Sequence, residues 1–160
     1  MLVTKDSNMT KNIKIGDVFE IHTDLGLCYG QLTHRHPTHT DVLRIFKPKL
    51  EKRPSDFSYI LNQEVEHTVL CNVAAGFKSG ILERVASKCV RIDLQPFPNF
   101  RNSNRSPQEP ENDDWWIWNG ETETRVGKLS TEQMKYPRMA IRNFASIKSL
   151  IEGKIHPSLI

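Results

Sequence analysis

Residues 13–32, IKIGDVFEIHTDLGLCYGQL, carry the clearest alternation near the start of the chain. Ile13, Ile15, Asp17, Phe19 and Ile21 fall on one parity, and Lys14, Gly16, Val18, Glu20 and His22 on the other. A period of two marks a strand with one buried face. Phe19 and Ile21 are therefore expected in the core, with Val18 contributing less. The segment 23–26, TDLG, breaks the alternation, and Gly26 supplies the positive φ that a short hairpin loop needs. Residues 27–32 then return as the second strand.

Further strands are expected at 41–46 (DVLRIF), at 57–61 (FSYIL), and at 68–73 (TVLCNV), the last β-branched and central. Another ends near Phe77, before a turn at 78–80. Residues 89–94 (CVRIDL) alternate again, with Val90, Ile92 and Leu94 on one face. Residues 96–114 contain four prolines and nothing apolar beyond Phe100, the composition of a long functional or mobile loop. Residues 115–126 (WWIWNGETETRV) read as a hairpin turning at Asn119-Gly120. On its first strand Trp116 and Trp118 share one face, and Trp115 and Ile117 the other.

Two helices are predicted near the C-terminus. Ser130 and Gln133 form the ends of a capping box. Phe144, Ile147, Leu150 and Ile151 recur at helical spacing between Asn143, an N-cap, and Gly153, a C′ glycine. The fold class is α+β: a mostly antiparallel sheet, or a partly closed barrel, with short C-terminal helices. Residues 1–12 are expected to be a flexible N-terminal arm, and 13–157 a single domain.

Length changes little in this picture, since 160 residues suit one domain with roughly 70% of the unfolded surface buried. There is no run of about 18 apolar residues and no apolar signal-peptide core at the N-terminus, so a cytoplasmic location is expected. Cys28, Cys71 and Cys89 are odd in number, far apart and set among apolar residues. They read as three buried thiols rather than a disulfide framework or a zinc site. The net charge of +3 divides into a basic stretch (Lys47, Lys49, Lys52, Arg53) and an acidic one (Glu109, Glu111, Asp113, Asp114), both solvated loops on this reading.

Candidate chemistry is sparse. His34, His36 and His39 (HRHPTH) have ligand-like spacing, but Pro37 intervenes and no carboxylate is placed beside them. No metal and no cofactor are expected. No nucleophile elbow or glycine-rich phosphate loop occurs, and the acidic cluster lies in a loop where burial cannot tune its pKa values, so the chain is expected not to be an enzyme. Alternation puts Trp115 and Trp116 on opposite faces. One of them either anchors a partner or is covered by a helix or loop.

Several segments together carry a resemblance: GDVFEI followed by a hairpin containing YGQL, Lys78-Ser79-Gly80 ahead of a strand, Pro98-x-Phe100, WWIWNG, then Gly127-Lys128-Leu129 and a terminal helix. Together they resemble the bacterial immunity protein 26 family over 13–157. Ile81 departs from the pattern, at a position where a tryptophan is expected. The resemblance implies an antitoxin of a polymorphic toxin system that neutralises a cognate toxin domain by binding it. The surface expected to do so comprises Glu109, Glu111, Asp113, Asp114, Trp115 and Trp116. The alternative is a nucleic-acid-binding barrel, with the 47–53 loop on phosphates and aromatics stacked on bases.

Overall fold

A computed structural model describes residues 12–106, 109 and 111–157. Apart from Asn12, the predicted arm lies outside the described residues. β1 (Asp17–Thr23), β2 (Gly26–Arg35), β3 (Asp41–Phe46), β4 (Val65–Cys71) and β5 (Glu83–Ser87) form one antiparallel sheet in the order β4-β3-β2-β1-β5. β6 (Phe100–Ser103), β7 (Trp115–Trp118) and β8 (Glu123–Gly127) form a second antiparallel sheet in chain order. Three short α-helices complete the described structure: α1 (Ser58–Leu61), α2 (Val73–Lys78) and α3 (Phe144–Ile151). The class is α+β, as predicted, and neither sheet closes into a barrel. Among the described residues no helix is long and apolar enough to cross a membrane.

The first hairpin forms as the pattern required. Thr23 pairs with Gly26 across a two-residue loop, and Gly26 sits at φ +118°. The expectation of one buried face does not hold. Phe19 and Ile21 pack with Leu32, Leu43 and Ile45 against α2 and α3. Val18, fully buried, packs on the opposite face with Tyr29, Phe46, Phe57 and Leu94 and with Ile60 and Leu61 of α1. The sheet is thus covered on both sides. Glu20 disguises this in the sequence, because it is polar and yet only 2% exposed.

Four other segments differ from expectation. Residues 57–61 are not a strand: Asp56 accepts hydrogen bonds from Ser58 N and Oγ (3.0 and 2.9 Å), and a helical turn follows. The segment before Phe77 is helix, begun by Asn72, whose Oδ1 accepts from Ala75 N at 3.0 Å. Gly76 lowers helix propensity, but tertiary packing requires it. A Cβ there would lie 2.4 Å from the Phe144 ring of α3. Residues 89–94 contain a 3₁₀ turn at Ile92–Leu94 instead of a strand, and Ile92 is 82% exposed. β4 is an edge strand, not a central one.

Its outer edge does not stay open. Arg142 N donates to Leu70 O at 2.8 Å, within a parallel bridge between Leu70 and Ile141. A few residues earlier the same segment runs along β6, with Arg101 N donating to Pro137 O and Met139 N to Arg101 O, both 2.9 Å. Residues 137–142 therefore join one edge of each sheet. Behind that seam, Val42 and Leu70 pack on Phe100 and Trp118.

Candidate functional site

The predicted binding loop is shorter than its composition suggested. Phe100 and Arg101 are buried members of β6, which leaves residues 104–114 as the loop proper; 107, 108 and 110 lie outside the described residues. Asn112, 7% exposed, is its anchor. Its Nδ2 donates to Ser103 Oγ at 2.8 Å, and its Oδ1 accepts from Asp114 N at 2.9 Å. Backbone bonds from Glu109 N to Ser106 O and from Asn112 N to Glu109 O (3.1 and 3.2 Å) build the turn before it.

With Asn112 held inward, Glu109, Glu111 and Asp113 are exposed. Asp113 lies 3.4 Å from Arg105 and Asp114 lies 3.6 Å from Arg125, so part of the acidic charge is paired on the loop itself. Among the described residues Glu109 and Glu111 form no ion pair.

The tryptophans divide differently from the predicted faces. A register shift between Trp115 and Trp116 breaks the alternation. Trp115 and Trp118 are both buried, at 5% and 4% exposure. The Arg101 guanidinium lies 5.3 Å from the Trp115 ring, while Trp118 packs on Phe97 and Phe100 at 5.2 and 5.6 Å between ring centroids. Trp115 is thus removed from the predicted binding surface. Trp116 stays half-buried beside the loop, its Nε1 donating to Asp114 Oδ1 at 3.4 Å. The hairpin itself turns through four residues, with Asn119 Oδ1 accepting from Glu121 N and Thr122 N at 2.9 Å each.

The three clustered histidines do not converge on a point. His34 Nε2 donates to Gln95 O at 2.7 Å, and burial lowers its pKa. His36 accepts at Nδ1 from Thr38 N and His39 N, which leaves Nε2 to donate to Gly120 O at 2.7 Å. His36 and His39 also pack on the Trp118 ring. They brace the second sheet against the β2–β3 turn. Ligand-like spacing does occur at Glu20, His22 and Glu83. Arg53 supplies the cation there, reaching Glu20 at 2.8 and 3.0 Å and Glu83 at 2.8 Å. The Arg53 guanidinium holds the Glu20 carboxyl below its ordinary range, and the Tyr29 hydroxyl, donating at 2.9 Å, adds to this.

Three of the four cations of the basic loop are paired in the same way. Lys47 pairs with Glu64, Lys49 with Glu66, and Arg53 with Glu20 and Glu83. Cys28 and Cys71 are buried, and burial pushes their thiols up to about 11 and about 12, far from a reactive thiolate. Cys89 is exposed, contrary to expectation.

One cluster has no counterpart in the sequence reading. A cavity of about 380 Å³ opens at the seam between the sheets, beneath β4 and residues 134–138. Arg101, Arg138 and Arg142 line it, the first from β6 and the other two from residues 137–142, far along the chain. Burial lowers the pKa of all three, and Arg138 further lowers that of the other two. Arg101 Nε donates to Tyr136 O at 2.8 Å, whereas Arg138 Nε is buried and has no acceptor among the described residues. No local spacing could have revealed this cluster, because tertiary structure alone assembles it.

Comparison with known proteins returns no match: no family model fits the chain, and no curated protein or solved structure is significantly similar to it.

Proposed function

We propose that this chain is an immunity protein, which neutralises a cognate bacterial toxin domain by binding it and performs no catalysis. The observation that carries the reading is the loop held by Asn112, which fixes Glu109, Glu111 and Asp113 outward beside the half-buried Trp116. Residues anchored before binding, as those around Asn112 are, lose less conformational entropy on association. Unpaired acidic side chains steer a basic partner, and an aromatic at the base of the loop supplies apolar contact. The motif resemblance supplies the class of partner. A nucleic-acid module has less support, since Lys47, Lys49 and Arg53 of the basic loop already face carboxylates.

The test is co-expression with any toxin-like domain encoded by a neighbouring gene, scored by cell survival and co-purification. Survival with a stable complex is the expected result; cell death with no complex would end the proposal. Charge reversal at Glu109 and Glu111 should slow association, most strongly at low salt, and Trp116→Ala should speed dissociation. If a complex forms and the loop can be deleted without loss, the antitoxin role stands and the surface lies elsewhere.

A further inference from the structure

The cavity at the seam gathers positively charged side chains. Arg101, Lys135, Arg138 and Arg142 line it; Lys135 pairs with Glu132, and Glu66, the one carboxylate among the described lining residues, pairs with Lys49. Among the described residues neither Arg101 nor Arg138 has a carboxylate partner. A buried lysine or carboxyl can relieve such a site by changing protonation, but a guanidinium keeps its charge. Relief must come from an acceptor. Arg138 offers a buried Nε donor with none among the described residues.

We propose that this cavity binds the phosphate group of a small phosphorylated molecule, with Arg138 as the principal donor and Arg101 and Arg142 beside it. Planar guanidinium donors match the oxygens of a phosphate, and the two guanidinium charges of Arg101 and Arg138 suit a dianion better than a single carboxylate. A volume of about 380 Å³ falls in the range of small-ligand pockets, roughly 300–1,000 Å³. It leaves room beside the phosphate for an organic group against Met134, Tyr136 and Leu150. The backbone bonds of residues 137–142 to both sheets hold the arginines in place before any ligand arrives. The proposal does not depend on the 104–114 loop or on the antitoxin reading.

The test is titration of the full chain in chloride buffer at fixed ionic strength, followed by calorimetry, thermal melting and tryptophan fluorescence. Trp115 lies under Arg101, so its emission reports on the cavity in the unsubstituted protein. The probes are inorganic phosphate, adenosine 5′-monophosphate, adenosine and acetate. Inorganic phosphate or the nucleotide should bind saturably and raise the melting temperature, while adenosine and acetate should not. Tighter binding of the nucleotide would identify an organic phosphate as the ligand, and equal binding would identify the free ion.

Arg138→Gln should weaken binding about tenfold or more, with Arg138→Lys intermediate and Lys52→Gln, outside the cavity, unchanged. Binding no stronger than acetate, or phosphate binding that Arg138→Gln leaves intact in a folded protein, would overturn the proposal. Should Arg138→Gln not fold, competition between the two phosphate probes for the fluorescence change in the unsubstituted chain decides it. Additive rather than competing changes would likewise overturn it.

Discussion

β1 and β7 show the same alternation in the sequence and have opposite surroundings. β1 runs through the interior of a sheet covered on both faces: Phe19 meets α2 and α3, and Val18 meets α1. β7 is the middle strand of a sheet in which Trp118 is enclosed while Trp116 remains half-exposed. The difference lies in what covers each sheet, not in the strands. Short helices and loops close both faces of the first, whereas the second rests one side on Val42 and Leu70. A polar residue within a strand, such as Glu20, can therefore be as buried as its neighbours if a distant arginine reaches it.

The largest effects should come from β1. Phe19→Ala is expected to cost about 3–5 kcal/mol, and Val18→Ala about 2 kcal/mol, measured by denaturant unfolding. A Val18→Ala variant as stable as the parent would break the two-sided picture. Next comes the cover over that sheet. Gly76→Ala drives a methyl group into the Phe144 ring and should cost about 1–3 kcal/mol. Adding Phe144→Leu should recover part of this, and no recovery would mean that the ring is not the obstacle.

A third expectation concerns the buried charge. The Glu20 carboxyl is held below its ordinary range by Arg53. Its contribution is therefore fully present above the unfolded-state pKa of about 4.3 and is lost as pH falls through the lower folded value. Arg53→Gln should destabilise the protein at neutral pH, and its deficit relative to the parent should shrink in acid. A deficit constant from pH 7 to pH 3 would show that the pair does not hold Glu20. The smallest effect belongs to β7, where Trp116→Ala should cost about 1 kcal/mol or less in stability. A loss as large as that of Phe19→Ala would erase the contrast between the two strands.

Features legible in the sequence were those set by near neighbours. The Ser130–Gln133 capping box forms both its bonds, Gln133 N to Ser130 Oγ at 3.2 Å and Ser130 N to Gln133 Oε1 at 2.9 Å, although the helix it starts is only a 3₁₀ turn at Gln133–Lys135. Asn143 caps α3 through Ser146 N at 2.8 Å, and Gly153 takes the positive φ at its end. What stayed hidden depends on partners far along the chain. Gly76 answers to Phe144, Glu20 to Arg53, and the cavity arginines to a seam that no periodicity encodes. The candidate surface was half legible: the acidic loop is where its composition placed it, but a single register shift turned Trp115 inward.

The seam also bears on how the molecule comes apart. Residues 137–142 can pair only with strands that already exist, and closing the long loops involved is entropically slow. Those contacts belong late on the folding route, after the transition state. Met139→Ala should accordingly raise the unfolding rate and leave refolding nearly unchanged, giving a chevron that shifts on one limb. Slowed refolding would instead put the seam in the nucleus. On the late-closing order, the seam is the latch of the structure: the first joint to open, baring the edges of β4 and β6 to pairing with other chains while most of the core still holds.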